Sequence, residues 1–244
     1  MYRDEFLVER CKSGVPGFDE LCSGGFVRNS VNALLGGPGA GKTIFLLEFL
    51  YNGATVYGEN GLYLSFEPDV VELFKDGMIF GWDFQKLDQE GKCKFLRISP
   101  QTEVTELKKD LTKAIAQFDI KRICIDPISL FGFTEKNQNK LREIIFDLTS
   151  LLKRLGVTVL VADETASGDT EEVGLASSDV KTQHLKFLVD GLVDLYSSGL
   201  GGVSDRAVRI AKMRRTAHSR GPIPMVINDK GMFVLSKKSE KVIL

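Results

Sequence analysis

Short apolar runs alternate with helical periodicities along most of this chain. Residues 31–35, 62–66, 123–125 and 157–162 are dense in branched and apolar side chains, the composition of strands buried on both faces. Between them, Leu107, Leu111, Ala114, Ile115 and Phe118 recur at the spacing that lines one face of a helix. Leu141, Ile144, Ile145, Leu148, Leu152 and Leu155 repeat that spacing, and Gly156 supplies a helix stop. Strand, helix, strand, helix predicts an α/β fold with a mostly parallel central sheet flanked by helices. Beyond residue 185 the rhythm shortens. Runs at 191–196, 207–212, 225–228 and 232–235 are separated by turn residues, which predicts antiparallel strands added at the C-terminal edge of the same sheet. No repeat or long linker divides the pattern, so residues 1–244 are expected to form a single domain.

Composition narrows the function classes more than the fold. At 43% hydrophobic and 27% charged residues, the chain has the make-up of a globular protein with a sizeable core. A net charge of -1 argues against a surface that is basic overall, the electrostatic footprint of nucleic-acid binding. Cys11, Cys22, Cys93 and Cys124 have no Cys-x-x-Cys spacing, and neither histidine completes a metal-ligand pattern. A reducing, cytoplasmic setting is expected, with Cys124 a small core residue inside its apolar run. The first seven residues carry acids and no apolar stretch of the signal-peptide kind. No apolar run approaches the roughly 20 residues that cross a bilayer, so no membrane partner is expected.

Gly36, Gly37, Pro38, Gly39, Ala40, Gly41, Lys42 and Thr43 match the pattern G-x-x-x-x-G-K-[ST], after an apolar run and before a helix-like stretch that begins at Ile44. Such a loop turns its backbone N–H groups toward phosphate oxygens, and the helix N-terminus adds a favourable dipole. Residues 37–44 are therefore expected to cradle phosphates, with Lys42 reaching the β- and γ-phosphates and the Thr43 hydroxyl reaching Mg²⁺. Asp126 closes the run Arg122-Ile-Cys-Ile-Asp126 and is the expected acid on the metal side, acting through water. Glu67, after the run at 62–66, is the candidate for orienting or deprotonating water. Pro68 and Asp69 also suit a first helical turn, so Glu67 could simply flank a helix start. Asn139, Lys140, Leu141 and Arg142 carry Arg where the guanine-reading Asp of GTPases would stand, so guanine specificity lacks support.

The stretch 211–220, AKMRRTAHSR, gathers four fixed positive charges and a histidine in a near-neutral chain. Arg209, Arg214, Arg215 and Arg220 could form a solvated strand end, a nucleic-acid patch, or cations serving a phosphate held elsewhere. Strand periodicity turns Lys212 and Arg214 to one face and Met213 and Arg215 to the other. Residues 163–182 hold six acidic groups against Lys181 alone, a loop that repels a phosphate backbone. Nucleic acid is accordingly a possible but not a favoured partner.

Gly14-Val-Pro-Gly-Phe-Asp-Glu-Leu21, then Gly24-Gly25 and the phosphate loop, resembles the opening of KaiC-like ATPases of the RecA superfamily. The tail from Ile210 to Ser219, with Pro224-Met-Val-Ile-Asn-Asp-Lys-Gly231, is similar to that family's close. The resemblance covers nearly the whole chain, as one such domain rather than two in tandem. It implies a RecA-like P-loop core, ATP and Mg²⁺ as cofactors, and a homo-oligomer, commonly a hexameric ring, with ATP between neighbours. It also implies that Lys212 and Arg214 reach the next subunit's γ-phosphate, completing a catalytic set with Lys42 and Glu67. A cation delivered in trans stabilises charge developing on the transferred phosphoryl group and ties hydrolysis to assembly.

Three departures limit the likeness. Glu67 is followed by Pro68 where family members often carry a second acid, which implies slow or altered hydrolysis. The positions of the clock protein's autophosphorylated Ser–Thr pair are Lys186 and Phe187, so autokinase activity is not expected, with Ser177, Ser178 and Thr182 left as candidate phosphorylation sites. A single domain has no second ring to regulate. The leading expectation is a slow ATP-hydrolysing regulator. Its alternatives are an ATP-gated assembly or binding module with little hydrolysis, and a RadA-related recombination accessory protein. No motif names a protein client, and residues 237–244 read as a frayed tail or a docking segment.

Overall fold

The computed structural model describes residues 8–66, 69–99, 101–128, 137–164, 185–199 and 205–236. A short antiparallel ribbon, β1 (Arg10–Cys11) and β2 (Phe26–Val27), encloses the one-turn helix α1 (Phe18–Leu21). β3 (Val31–Gly36) is buried at every position and leads into α2 (Lys42–Val56). β4 (Asn60–Ser65), α3 (Val70–Ile79), α4 (Phe84–Gln89) and β5 (Cys93–Arg97) come next. They are followed by α5 (Val104–Phe118), β6 (Ile120–Asp126), α6 (Gln138–Arg154) and β7 (Thr158–Glu164). β8 (Gly191–Ser197), β9 (Arg206–Met213), β10 (Ile223–Asn228) and β11 (Gly231–Val234) complete the described elements.

Nine strands join in the order β11-β10-β9-β8-β3-β7-β6-β4-β5. Pairing is parallel from β8 to β5 and antiparallel from β8 to β11. This is the mostly parallel sheet with an antiparallel C-terminal edge that the apolar pattern predicts. Successive strand side chains point to opposite faces, and the burial divides accordingly. Leu34, Tyr63, Cys124 and Val193 pack with Phe45, Leu46 and Phe49 of α2 on one face. Ala33, Leu64, Ile125 and Val161 meet Leu107 and Leu111 of α5 and Leu141 and Leu148 of α6 on the other. Both faces are covered, which is why the central strands read as continuous apolar runs.

Two details differ from the sequence expectation. β7 extends past its apolar run, so Glu164 is a strand residue rather than a loop residue, while Asp126 ends β6 as expected. Asp69 is the N-cap of α3, where its carboxylate accepts from the Val71 N–H, rather than a first-turn residue. All four cysteines are free and buried. Burial pushes the Cys11 thiol up to about 11, which keeps it protonated and unreactive.

Candidate functional site

The phosphate loop lies at the C-terminal end of β3, where ligands gather in open α/β sheets. Gly41 is the N-cap of α2 at φ 99°, and no side chain caps the helix there. Its left-handed φ is what favours glycine, and a Cβ there would stand 2.9 Å from both Ile227 Cδ1 and Met232 Cε, the side-chain ends of the β10–β11 hairpin. The first N–H groups of α2 are thus presented to an incoming anion rather than to a side-chain oxygen. Lys42 Nζ donates to Gly36 O at 2.8 Å and Gly37 O at 3.0 Å, folding back over the loop. Glu164 Oε1, at the end of neighbouring β7, stands 4.0 Å from the same ammonium.

Asp126 ends β6 on the same side of the sheet. Its Oδ2 accepts from Thr43 Oγ1 at 3.1 Å and from the Tyr63 hydroxyl at 2.6 Å. Burial first, and then the Asp126 charge, pushes the Tyr63 phenol well above its ordinary value, so Tyr63 is a donor throughout the physiological range. Mg²⁺ takes hard oxygen ligands and keeps waters and phosphate oxygens in most of its octahedron. A hydroxyl and a carboxylate held together beside a phosphate loop fit that requirement. Among the described residues no group of three or more His, Cys, Asp or Glu forms a metal cage.

Lys212 and Arg214 lie at the opposite end of the sheet. Met213 pairs with Gly191, and Gly191 pairs with Asn32 near the start of β3. The length of β3, about 16 Å at the rise of a parallel strand, separates this end from the phosphate loop. Asp190 organises it. Its backbone N–H donates to Val31 O at 2.8 Å, and its Oδ2 accepts from Val31 N at 3.1 Å. Lys153 of α6 stands 2.7 Å from that oxygen, and Arg214 NH1 stands 3.7 Å from Oδ1. Lys212 Nζ donates to Val189 O at 2.7 Å and Lys186 O at 3.1 Å. Burial, then the Arg214 charge, lowers the Lys212 pKa.

Lys212 and Arg214 meet the same segment, but not by plain strand alternation. β9 ends at Met213, a register shift falls between Leu192 and Val193, and Arg215 turns the chain at φ 56°. Both side chains nevertheless meet residues 186–190. The loop after β9 is pinned by the N-terminal ribbon: Arg10 donates to Thr216 Oγ1 and Arg215 O, Ser23 Oγ to Ala217 O, and Ser219 N to Leu21 O.

Of the predicted site residues, Lys42, Thr43 and Asp126 come together, while Lys212 and Arg214 form a separate group. Glu67 lies outside the described residues, as do Pro68, Ser177, Ser178, Thr182, the acidic stretch from 165 to 182, and 237–244. The 139–142 stretch opens α6, capped by Asn137, which accepts from the Asn139 and Lys140 N–H groups. The sequence reading missed Tyr63, Lys153, Asp190 and Arg10 as site residues. A phenolic hydroxyl in the run 62–66, which also holds Ser65, was the available sign for Tyr63. No described helix is long and apolar enough to cross a membrane.

Comparisons with known proteins show the family and the fold. The family described as "ATPase: KaiC" matches residues 11–239. A UPF0273 protein of Thermotoga maritima is 30% identical over 93% of this chain and 96% of its own length. The circadian clock oscillator protein KaiC of Nostoc sp. is 32% identical over 92% of this chain but 44% of its own length. This chain thus spans less than half of that relative. The crystal structure of a KaiC-like protein from Pyrococcus horikoshii OT3 is 32% identical, with a TM-score of 0.80 over 94% of this chain and 100% of its own. The family match runs from β1 through the phosphate loop to the last strands, and the chain belongs to the KaiC ATPase family, a nucleotide-binding family built on the RecA-like fold.

Proposed function

We propose that this chain is a single-domain cytoplasmic regulator that binds Mg·ATP and hydrolyses it slowly at the interface between copies of itself, in a hexameric ring. The observation that carries this reading is the separation of its cations. Lys42 sits over the phosphate loop, whereas Lys212 and Arg214 lie at the far end of β3 and can serve a phosphate only in another copy. In this reading residues 37–44 wrap the phosphates and Lys42 holds the β- and γ-oxygens. Thr43 and Asp126 would hold Mg²⁺, which would supply positive charge beside the bound phosphates. Glu67 orients the attacking water, and the neighbouring copy's Lys212 and Arg214 stabilise charge that develops as the bond breaks. A protein client would read the state of the ring, and nucleic acid is not favoured as that client.

Turnover per subunit, followed over a hundredfold range of protein concentration with molar mass measured on the same samples, tests the proposal. It predicts a rate that climbs as rings form, and a rate independent of assembly would refute it. A second reading, an ATP-gated binding module with little hydrolysis, is favoured by one observation. Lys212 Nζ is already satisfied by two carbonyls of its own chain. Rings that form on ATP without turnover would select it.

A further inference from the structure

Tyr63 is buried at 0% exposure, and its ring stacks on Phe95 of β5 with centroids 5.6 Å apart and planes 12° from parallel. Packing alone would be met by phenylalanine. The hydroxyl adds only a hydrogen bond, and that bond is made to the Asp126 carboxylate at 2.6 Å. Strand register makes it possible: Tyr63 pairs with Cys124, so Asp126 is its diagonal neighbour two residues further along β6, within reach of an aromatic side chain. The oxygen that accepts from Tyr63 also accepts from Thr43 Oγ1. Two donors from two different elements, β4 and the first turn of α2, therefore fix one carboxylate oxygen. The Tyr63 bond to an ionised acceptor is short and charge-assisted, the kind strong enough to set a side-chain rotamer.

We propose that Tyr63 is a positioning residue for the metal site: it orients the Asp126 carboxylate and keeps Asp126 and Thr43 in register for Mg²⁺. This rests on the Mg·ATP reading of the site. Thr43 must give a lone pair to the ion, and its hydroxyl proton then has Asp126 as its acceptor. That arrangement needs the carboxylate already in place. Tyr63 supplies this through its bond to Asp126 Oδ2 from β4, an element separate from the phosphate loop and α2. Partners that orient metal ligands in this way typically change metal affinity by about 10–100-fold when removed.

The test is Tyr63→Phe, which keeps the ring on Phe95 and removes the hydroxyl. A fluorescent ATP analogue at fixed concentration is titrated with MgCl₂ on full-length protein, and the half-saturating Mg²⁺ concentration is compared with wild type. Asp126→Asn is measured in parallel. The proposal predicts a rise of about tenfold for Tyr63→Phe, with analogue binding in EDTA unchanged. If Asp126→Asn raises the Mg²⁺ requirement and Tyr63→Phe leaves it unchanged or lowers it, Tyr63 is only a packing residue and the inference fails while the site reading stands. If neither substitution moves the requirement, Asp126 is not a metal-side ligand and the inference falls with it. Thermal melting with the analogue in Mg²⁺ and in EDTA, taken as a difference within each protein, separates a metal effect from a loss of basal stability.

Discussion

Arg122 and Arg214 are both paired with carboxylates, and they meet opposite fates. Arg122 is fully buried, 2.6 Å from Glu59 Oε2, with NH1 donating to Phe49 O at 2.8 Å and its guanidinium 4.5 Å from the Phe49 ring centroid. Gly53 has no Cβ because one would stand 2.5 Å from Arg122 Cδ. Arg214 is 54% exposed and stands 3.7 Å from an Asp190 oxygen, while Lys153 holds the other oxygen at 2.7 Å. The first cation has been taken out of water and is held by Glu59 and Phe49 O, so it is not available for chemistry. The second keeps much of its hydration and has a partner that stays satisfied without it. Burial and geometry, not residue type, separate a structural cation from one available to a neighbour.

The largest break in that contrast comes from Arg214→Ala. Removing a cation that completes a phosphoryl-transfer site costs on the order of a thousandfold in turnover. Stability should stay within about 0.5 kcal/mol of wild type, because the pair is exposed and long. Steady-state ATPase assays and urea melts of the same preparation check both halves. Mixing this variant with Glu67→Gln should restore part of the activity, since some hybrid interfaces then hold one intact Glu67 and one intact Arg214.

Arg122→Ala should reverse the pattern. Leaving Glu59 with a diminished partner and a void beside Phe49 costs about 3–5 kcal/mol, read as a lower urea midpoint. ATP hydrolysis by the fraction that remains folded should be little changed, because Arg122 faces Glu59 and α2 rather than the phosphate loop.

Burial raises the Glu59 pKa, but Arg122 and Arg28 outweigh it and hold the carboxyl below its ordinary 4.5. Among the described residues Glu48 of α2 accepts only the Met232 N–H, at 2.8 Å, and burial pushes it up to about 8. A raised folded-state pKa means that the contribution of Glu48 is fully present below 4.5 and is lost as pH rises through 8. Glu59 contributes in the opposite sense, with stability lost as pH falls through its depressed value. Glu48→Gln should therefore flatten the fall in stability between pH 4.5 and about 8. One proton bounds the slope it removes at about 1.4 kcal/mol per pH unit, measured by urea unfolding between pH 5 and 9.

The smallest effect belongs to Lys153→Ala. Asp190 then loses its shorter partner and draws Arg214 inward, which should slow turnover a few-fold at saturating ATP, an effect of about 1 kcal/mol or less. An unchanged rate would mean that Asp190 does not compete for Arg214.

Apolar runs and helical spacing made the central strands, α5, α6 and the antiparallel edge legible, because those signals repeat within a dozen residues. β5 escaped notice because it is a five-residue edge strand with alternating burial. The phosphate loop was readable for the same local reason: its glycines, Lys42 and Thr43 are contiguous, and the strand before and helix after it declare the context. Asp126 was readable only in part, since many strands end in an acid.

The sequence by itself determined the α/β class, the phosphate loop and the concentration of charge after β9, since each is written in neighbouring residues. Tertiary structure alone decided what those residues meet. Tyr63 reaches Asp126 across 63 positions, Arg10 reaches Thr216 across 206, and Asp190 gathers groups from β3, α6 and the end of β9. Such contacts depend on strand order and register, which follow from the packing of both sheet faces together and leave no periodicity in the chain. The separation of the basic loop from its own phosphate loop is of that kind. It exists only because β8 runs parallel to β3 and β9 returns antiparallel beside it.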